Sequence, residues 1–366
     1  MTNAPKSLLI TLEYPPDIGG IAEYYKTFVE EPGAHISVLC LKPFNARFWW
    51  VFRFPRVVRE MRRVGAESIF VGHILPLGHI ALIIYWFFGK PYTVFVHGLD
   101  VLQKMPRVKR FFIRKILFFS KEVIANSKFT AKQVQKKYSV PGSKLRVVYP
   151  KINVARIENG AHTAPVITKS DSYILLTVGR LQARKGFDKV IEAIAFLNKR
   201  RETQNESNNA RFEYWIIGEG GDRARLEHLA ASLGIAGIVR FFGKVAVPDL
   251  YGYYKACDGF IMPSREIDGD IEGFGIVFLE AAVFKKPVVG GQSGGVPEAV
   301  IDGVTGILVD PLNVEEIAYA ILRLSKDART SRAFGEAGYR RVRREFDVCR
   351  TYAFRCHSRV SGNLCR

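Results

Sequence analysis

Short apolar runs that end in a glycine-bearing loop and then give way to a helix recur along this chain, and they constrain its fold more than any other feature. Tyr173-Ile174-Leu175-Leu176-Thr177-Val178 runs into Gly179-Arg180-Leu181-Gln182-Ala183-Arg184-Lys185-Gly186, and a helix follows from Phe187. Ser7–Thr11 leads through a loop to Gly19-Gly20, Thr93-Val94-Phe95-Val96 to His97-Gly98, and Tyr214-Trp215-Ile216-Ile217 to Gly218-Glu219-Gly220. Val123 to Ser127, Val239 to Val245 and Asp258 to Ser264 add further strands, with Ser127 reading as a helix cap. Strands that alternate with helices build parallel α/β sheets, and such sheets bind ligands where their strands end.

The length, 366 residues, is long for one core and suits two α/β domains, and 48% hydrophobic residues favour a globular enzyme over a disordered or fibrous chain. The longest apolar segment, residues 80–88, stops at Gly89-Lys90-Pro91, short of the roughly 18–20 residues of a bilayer span. The N-terminus lacks the long apolar core and cleavage site of a secretory signal, so the expected compartment is the cytoplasm. Cys40, Cys257, Cys349, Cys356 and Cys365 have neither zinc-ligand spacing nor an even count, which argues for a reduced compartment and against a disulfide framework.

The net charge of +19 is uneven: residues 1–150 carry 23 Lys and Arg against 9 Asp and Glu. Such asymmetry calls for an anionic partner. Residues 44–63 interleave Phe44, Phe48, Trp49, Trp50, Phe52 and Phe54 with arginines, with helical spacing after Pro55; Lys104 to Lys115 is a second basic run around Phe111-Phe112-Ile113 and contains no acid. Basic, aromatic and amphipathic segments suit an anionic membrane surface, although the first is equally readable as an ordinary core helix behind an aromatic loop. No nucleic-acid module is present, and the aromatics fall in apolar runs rather than as spaced stacking platforms.

Five groups of residues are candidates for chemistry. Arg180 offers a planar fork for phosphate oxygens and Lys185 a point charge beside a helix N-terminus. Glu272 and Glu280 stand eight positions apart across Gly273-Phe274-Gly275, the first in a flexible loop and the second on the apolar helix from Ile276. A carboxylate accepts paired hydroxyls, so the two read as a polyol clamp; the plain alternative is a solvated loop acid and a surface helix charge. His97 with Gly98 sits at a strand's carboxyl end, where a histidine is also compatible with a structural role. Gly19 and Gly20 allow amides to approach a diphosphate or simply form a turn. Asp268-Gly269-Asp270 has the Asp-x-Asp form of a metal site, but it directly precedes Glu272, and no metal is expected.

Taken together, these elements resemble the retaining nucleotide-sugar glycosyltransferases of family 4, with the GT-B fold. The Glu-x7-Glu signature maps onto Glu272 and Glu280, His-Gly-x-Asp onto His97 to Asp100, and Gly294-Gly295 closes the stretch. The resemblance spans roughly residues 7 to 345 and implies an α/β fold of two Rossmann-like domains with parallel sheets facing across a cleft. Residues 1–157 would form the acceptor-side domain, 158–172 a polar linker and 173–345 the nucleotide-sugar domain. Relatives follow the first domain with an Asn-Gly or Pro-Gly turn, where this chain has Pro150-Lys151-Ile152-Asn153, and residues 346–366 read as a truncated or frame-shifted tail. Residues 198–209 read as a solvated connection.

The implied reaction moves a hexose from a nucleoside diphosphate sugar to an acceptor hydroxyl with retention, without a cofactor or metal. Arg180 and Lys185 would stabilise the leaving diphosphate, helped by Gly19, Gly20 and the amides of Phe274, Gly275 and Ile276. Glu272 would orient the sugar, His97 line it, Glu280 hold the ribose and Val245 edge the base. With no protein nucleophile evident, the working mechanism is front-face departure. The details look most like GDP-mannose-dependent phosphatidylinositol mannoside-type mannosyltransferases acting on lipid-linked or cell-envelope glycan acceptors, with a UDP-sugar as the other donor. A catalytically weakened nucleotide-sugar-binding or membrane-associated scaffold of the same fold is the alternative.

Overall fold

A computed structural model describes residues 6–16, 19–31, 33–45, 48–168, 171–203 and 211–348. They divide into two compact units, the first comprising the described residues up to Ile152 together with Asp268–Gly273, the second Asn153–Ile267 and the chain from Phe274 on.

The first unit is a parallel sheet of β1 (Ser7–Thr11), β2 (Ile36–Cys40), β3 (Ser68–Val71), β4 (Tyr92–Val96), β5 (Glu122–Ala125) and β6 (Leu145–Val147) in the order β2-β1-β3-β4-β5-β6. Leu9 pairs with Val38 on one side and Phe70 on the other. Every residue of β1 and β4 is buried, as continuous apolar runs require when helices cover both faces. Those helices are α1 (Gly20–Val29), α2 (Trp49–Val64), α3 (Leu77–Phe88), α4 (Leu99–Leu102), α5 (Arg107–Phe119) and α6 (Lys128–Tyr138). Ser127 caps α6, its hydroxyl accepting from the Thr130 amide at 3.0 Å, as the sequence suggests.

Helix α2 departs from the sequence reading, which places the helix only after Pro55. It starts at Trp49 and runs through the proline. A proline in a helix interior costs about 3 kcal/mol. Here the turn before it packs Trp49, Trp50 and Phe54 on the core, with Trp50 stacked on His79 at 5.0 Å, and this burial offsets the lost backbone bond.

The face of this unit that bears α2, the end of α3 and α5 leaves large aromatics in solvent, among them Phe52 (70% exposed), Phe87 (78%) and Phe118 (66%). An open groove of about 400 Å³ is lined by Phe54, Pro55, Val58, Arg59, Arg62 and Phe88. Among the described residues no helix is long and apolar enough to cross a membrane.

The second unit opens with α7 (Val154–Thr163) and contains β7 (Tyr173–Val178), α8 (Phe187–Thr203), β8 (Phe212–Ile217), α9 (Arg223–Ser232), β9 (Val239–Gly243), α10 (Val247–Ala256), β10 (Gly259–Met262), α11 (Ile276–Val283), β11 (Val288–Gly291), α12 (Val296–Ala299), β12 (Gly306–Val309), α13 (Val314–Lys326) and α14 (Ala328–Arg341). Its sheet is again parallel, in the order β12-β11-β10-β7-β8-β9. Both sheets are therefore doubly wound. Strand order reverses between β1 and β3 in one and between β7 and β10 in the other, the positions where such sheets open a crevice.

Two segments that the sequence reads as irregular are partly helical. Residues 158–163, assigned to the linker, belong to α7: Asn153 caps it by accepting from the Arg156 amide at 2.8 Å, and Val154, Ile157 and Ala161 form a buried stripe. Three apolar side chains at helical spacing suffice, and the polar residues between them mask the signal. Helix α8 likewise continues to Thr203 through the start of the 198–209 stretch, whose residues 204–209 lie outside the described residues. The tail read as atypical also lies outside them from Cys349 on; Phe346 before it is buried against Phe274, ring centroids 5.6 Å apart.

Candidate functional site

In the second unit the loop after β7 is held by backbone bonds on both sides of Arg180: Gly179 N–H donates to Ile217 at 2.9 Å and Leu181 N–H to Glu219 at 3.0 Å. This needs glycine opposite. Gly218 has φ +135°, and a Cβ there would stand 2.8 Å from the Gly179 carbonyl carbon; a Cβ on Gly220 would stand 2.8 Å from the Leu181 nitrogen. The Gly218-Glu219-Gly220 loop thus seats the Arg180 loop. Arg180 itself is exposed at the strand end and makes no hydrogen bond or ion pair with any described residue. Lys185 ends a single 3-10 turn, and its Cε passes 3.8 Å from the open side of Gly179, so the structure brings the two cations to one loop pair.

That turn is pinned to the end of β10. Gly186 (φ +78°) lies flat on the Pro263 backbone, the Arg265 amide donates to the Arg184 carbonyl at 2.8 Å, and the Arg265 guanidinium forks onto Asp188 at 2.9 and 2.7 Å. Burial alone would raise the Asp188 carboxyl, but the Arg265 bonds and the Arg265 and Arg225 charges hold it below its ordinary value. Arg184 is buried at 8% exposure because this packing covers the turn.

Gly275 adopts the left-handed conformation (φ 92°) and starts α11, while Phe274 before it is buried. Glu280 on α11 is half-buried and has a partner that the sequence does not reveal: the Tyr254 hydroxyl donates to its Oε2 at 2.9 Å. Tyr254 is buried, stacked on Phe284 at 5.4 Å, and burial followed by the Glu280 charge pushes its hydroxyl well above the ordinary tyrosine value. Val245 is half-buried in the loop between β9 and α10.

Glu272 belongs to the first unit and Glu280 to the second, so the Gly-Phe-Gly turn divides the pair. The loop Asp268–Gly273 lies against the end of β4. Gly98 (φ +108°) stands 3.5 Å from the Gly273 Cα, measured from where its Cβ would be, and a Cβ on Gly273 would stand 2.7 Å from Asn126 Nδ2. Asn126 Nδ2 donates to the His97 carbonyl at 3.3 Å, which fixes the residue after Glu272 beside His97. Asp268, first carboxylate of the Asp-Gly-Asp triplet, pairs with Lys104 at 3.0 Å.

His97 is the hub of a buried cluster at the carboxyl ends of the strands. Its amide donates to Asp100 Oδ1 at 3.0 Å, its Nε2 lies 2.6 Å from the Tyr25 hydroxyl, and Tyr24 meets its ring edge-on at 5.2 Å. Burial, then the neighbouring His73, pushes His97 down to about 3; burial pushes His73 down to about 4. Burial also raises the Asp100 carboxyl to about 6, against the backbone amides of His97, Asp100 and Gly98 that favour its charge. Gly19 and Gly20 are exposed where α1 starts; a Cβ on Gly19 would come no closer than 3.8 Å to Glu13, so space does not demand glycine there. Tyr25, His73 and Tyr254 escape sequence reasoning because no spacing rule links residues that meet only in the folded chain.

Two doubly wound parallel domains, one with cations seated on glycine loops at its switch point, define a two-domain α/β architecture. The solved structures agree on the fold: Anabaena HepE in complex with UDP and glucose superposes with a TM-score of 0.73 over 97% of this chain and 99% of that one at 20% identity. Sucrose-phosphate synthase from Thermosynechococcus elongatus gives 0.74 over 97% and 98% at 18% identity. Residues 10–156 match the family model described as Glycosyltransferase Family 4, and residues 162–341 that described as Glycosyl transferases group 1. The chain belongs to this glycosyltransferase family. Among its relatives is the GDP-mannose-dependent alpha-(1-6)-phosphatidylinositol monomannoside mannosyltransferase of Mycolicibacterium smegmatis, 28% identical over 90% of this chain and 92% of the relative. The corresponding enzyme for the monoacylated lipid in Corynebacterium glutamicum is 26% identical over 94% and 95%.

Proposed function

We propose that this glycosyltransferase moves mannose from GDP-mannose, with a UDP-sugar as the alternative donor, to a lipid-linked or cell-envelope glycan acceptor, with retention and without metal. The observation that carries the donor and acceptor class is the similarity, over nine-tenths of both chains, to a mannosyltransferase named for GDP-mannose and a phosphatidylinositol mannoside. Arg180 and Lys185 take the diphosphate and stabilise the charge that builds on it as the sugar leaves, the largest catalytic contribution such a site offers. The amides of Gly19, Gly20, Phe274, Gly275 and Ile276 assist, Glu280 holds the ribose hydroxyls, and Val245 edges the base. Glu272 orients the sugar and His97 lines it. The departing diphosphate oxygen accepts the proton of the attacking acceptor hydroxyl on the same face, so no protein nucleophile is needed.

The protein works at the inner face of the cytoplasmic membrane as a peripheral enzyme. The mixture of exposed aromatics and basic residues on α2, α3 and α5 supports this placement. Calorimetric titration with GDP, UDP and ADP in the absence of metal tests the donor site. One nucleotide binding selectively, with affinity lost in both Arg180→Ala and Glu280→Ala, is the expected outcome; binding unchanged in both variants refutes the assignment.

A further inference from the structure

Tyr25 has one proton and two neighbours that compete for it. Its hydroxyl donates to the Gly72 carbonyl and stands 2.6 Å from His97 Nε2, with the whole side chain buried. A carbonyl can only accept, so the phenolic proton goes to Gly72, and the contact with the imidazole is a hydrogen bond only if Nε2 supplies a proton of its own. Turning the phenolic proton toward the ring instead would leave a buried carbonyl without this donor.

We propose that Tyr25 is the positioning residue that locks His97 in the Nε2–H tautomer and thereby presents Nδ1 to the transferred sugar as a hydrogen-bond acceptor. This rests on the reading of His97 as a residue that lines the donor sugar. The ring has little freedom to choose otherwise: Tyr24 meets it edge-on at 5.2 Å, Tyr25 at 5.3 Å, and Phe95 lies parallel to it at 6.3 Å. Burial keeps the imidazole neutral at physiological pH, so a proton on Nε2 leaves Nδ1 bare. A bare nitrogen accepts from a sugar hydroxyl and repels a carbonyl or carboxylate, so the tautomer selects which group of the donor can face it. Tyr25 lies on α1, the helix that starts at Gly20, and so ties the Gly19-Gly20 turn to the histidine in one rigid element.

Long-range proton–nitrogen correlation spectra of protein labelled with 15N histidine read the tautomer without any ligand. His97 in the wild-type chain is expected as Nε2–H. Tyr25→Phe, which keeps the ring and removes the hydroxyl, should convert it to a mixture of tautomers, whereas Tyr24→Phe, which loses a hydroxyl bonded at 3.0 Å to the Val148 carbonyl, should not. With the sugar nucleotide selected by titration, Tyr25→Phe should lower kcat about tenfold and leave KM within about twofold, the loss of one hydrogen bond's worth of orientation. An Nδ1–H tautomer in the wild-type chain, or a tautomer indifferent to Tyr25→Phe, overturns the proposal. A tautomer that shifts in Tyr25→Phe while His97→Ala transfers sugar at the wild-type rate overturns the role in transfer and locates the failure in the reading of His97, not in the hold of Tyr25 on the ring.

Discussion

Replacing Gly218 by alanine should disable the site proposed for the diphosphate without touching a residue proposed to bind it. At φ +135° an L side chain is strained, which costs about 1–3 kcal/mol. The added Cβ would also lie 2.8 Å from the Gly179 carbonyl carbon, whereas carbon atoms settle at about 3.5–4.0 Å, so the Gly179-Arg180 backbone must retreat by about 1 Å. Overpacking of this kind adds about 1–3 kcal/mol. Stability should therefore fall by about 2–6 kcal/mol, and a 1 Å displacement of a positioning element is worth up to about a hundredfold in kcat/KM. Urea unfolding measures the first, initial rates of sugar transfer measure the second, and calorimetry with the preferred nucleotide reads the accompanying loss of affinity. Gly221→Ala, where nothing lies within 4 Å of the added carbon, serves as the control and should be silent. Wild-type nucleotide affinity in Gly218→Ala would refute the argument that the glycine loop seats Arg180.

Acid should weaken the fold before the ordinary carboxylates titrate. His97 and His73, held down to about 3 and 4, stay neutral in the native state while the unfolded chain takes up their protons below about pH 6.5, so stability is lost as pH falls through that window; His79, shifted the same way by burial, adds to the loss. Asp100, raised to about 6, binds its proton in the native state first and offsets about one of these, leaving a net loss of about 1 kcal/mol between pH 6 and pH 5. A urea midpoint that is flat or rising from pH 6 to pH 5 would contradict it. At the membrane, Phe52→Ser with Phe87→Ser should reduce sedimentation with anionic liposomes severalfold while leaving nucleotide affinity unchanged, because both side chains are more than two-thirds exposed and removing them opens no cavity. Undiminished liposome binding would remove this face from the account.

Much of the fold was legible because buried parallel strands announce themselves as unbroken apolar runs: β1 and β7 occupy the residues expected, and Ser127 caps its helix. Helices failed where burial by distant residues outweighed local signals. The helix was expected only after Pro55, yet the aromatic turn before it is packed on the core and joins it; Val154, Ile157 and Ala161 made a helix of a segment whose composition is polar. Arg184 shows the same effect, a charge that is buried because a neighbouring loop covers it.

The sequence by itself determined the two-domain α/β plan and the family, and it nominated the residues proposed to meet a nucleoside diphosphate sugar, because glycine loops at strand ends and charges at fixed offsets from them are properties of a local stretch of chain. Only the tertiary structure decided how those residues are held: Tyr254 on Glu280, Tyr25 and His73 around His97, Asn126 beside Gly273, and the glycines of one loop beneath the arginine of another. Each of these contacts joins residues far apart in the chain, on helices and loops that the parallel sheet brings together. Crossover connections vary in length, so no fixed interval in the sequence records which of them will meet.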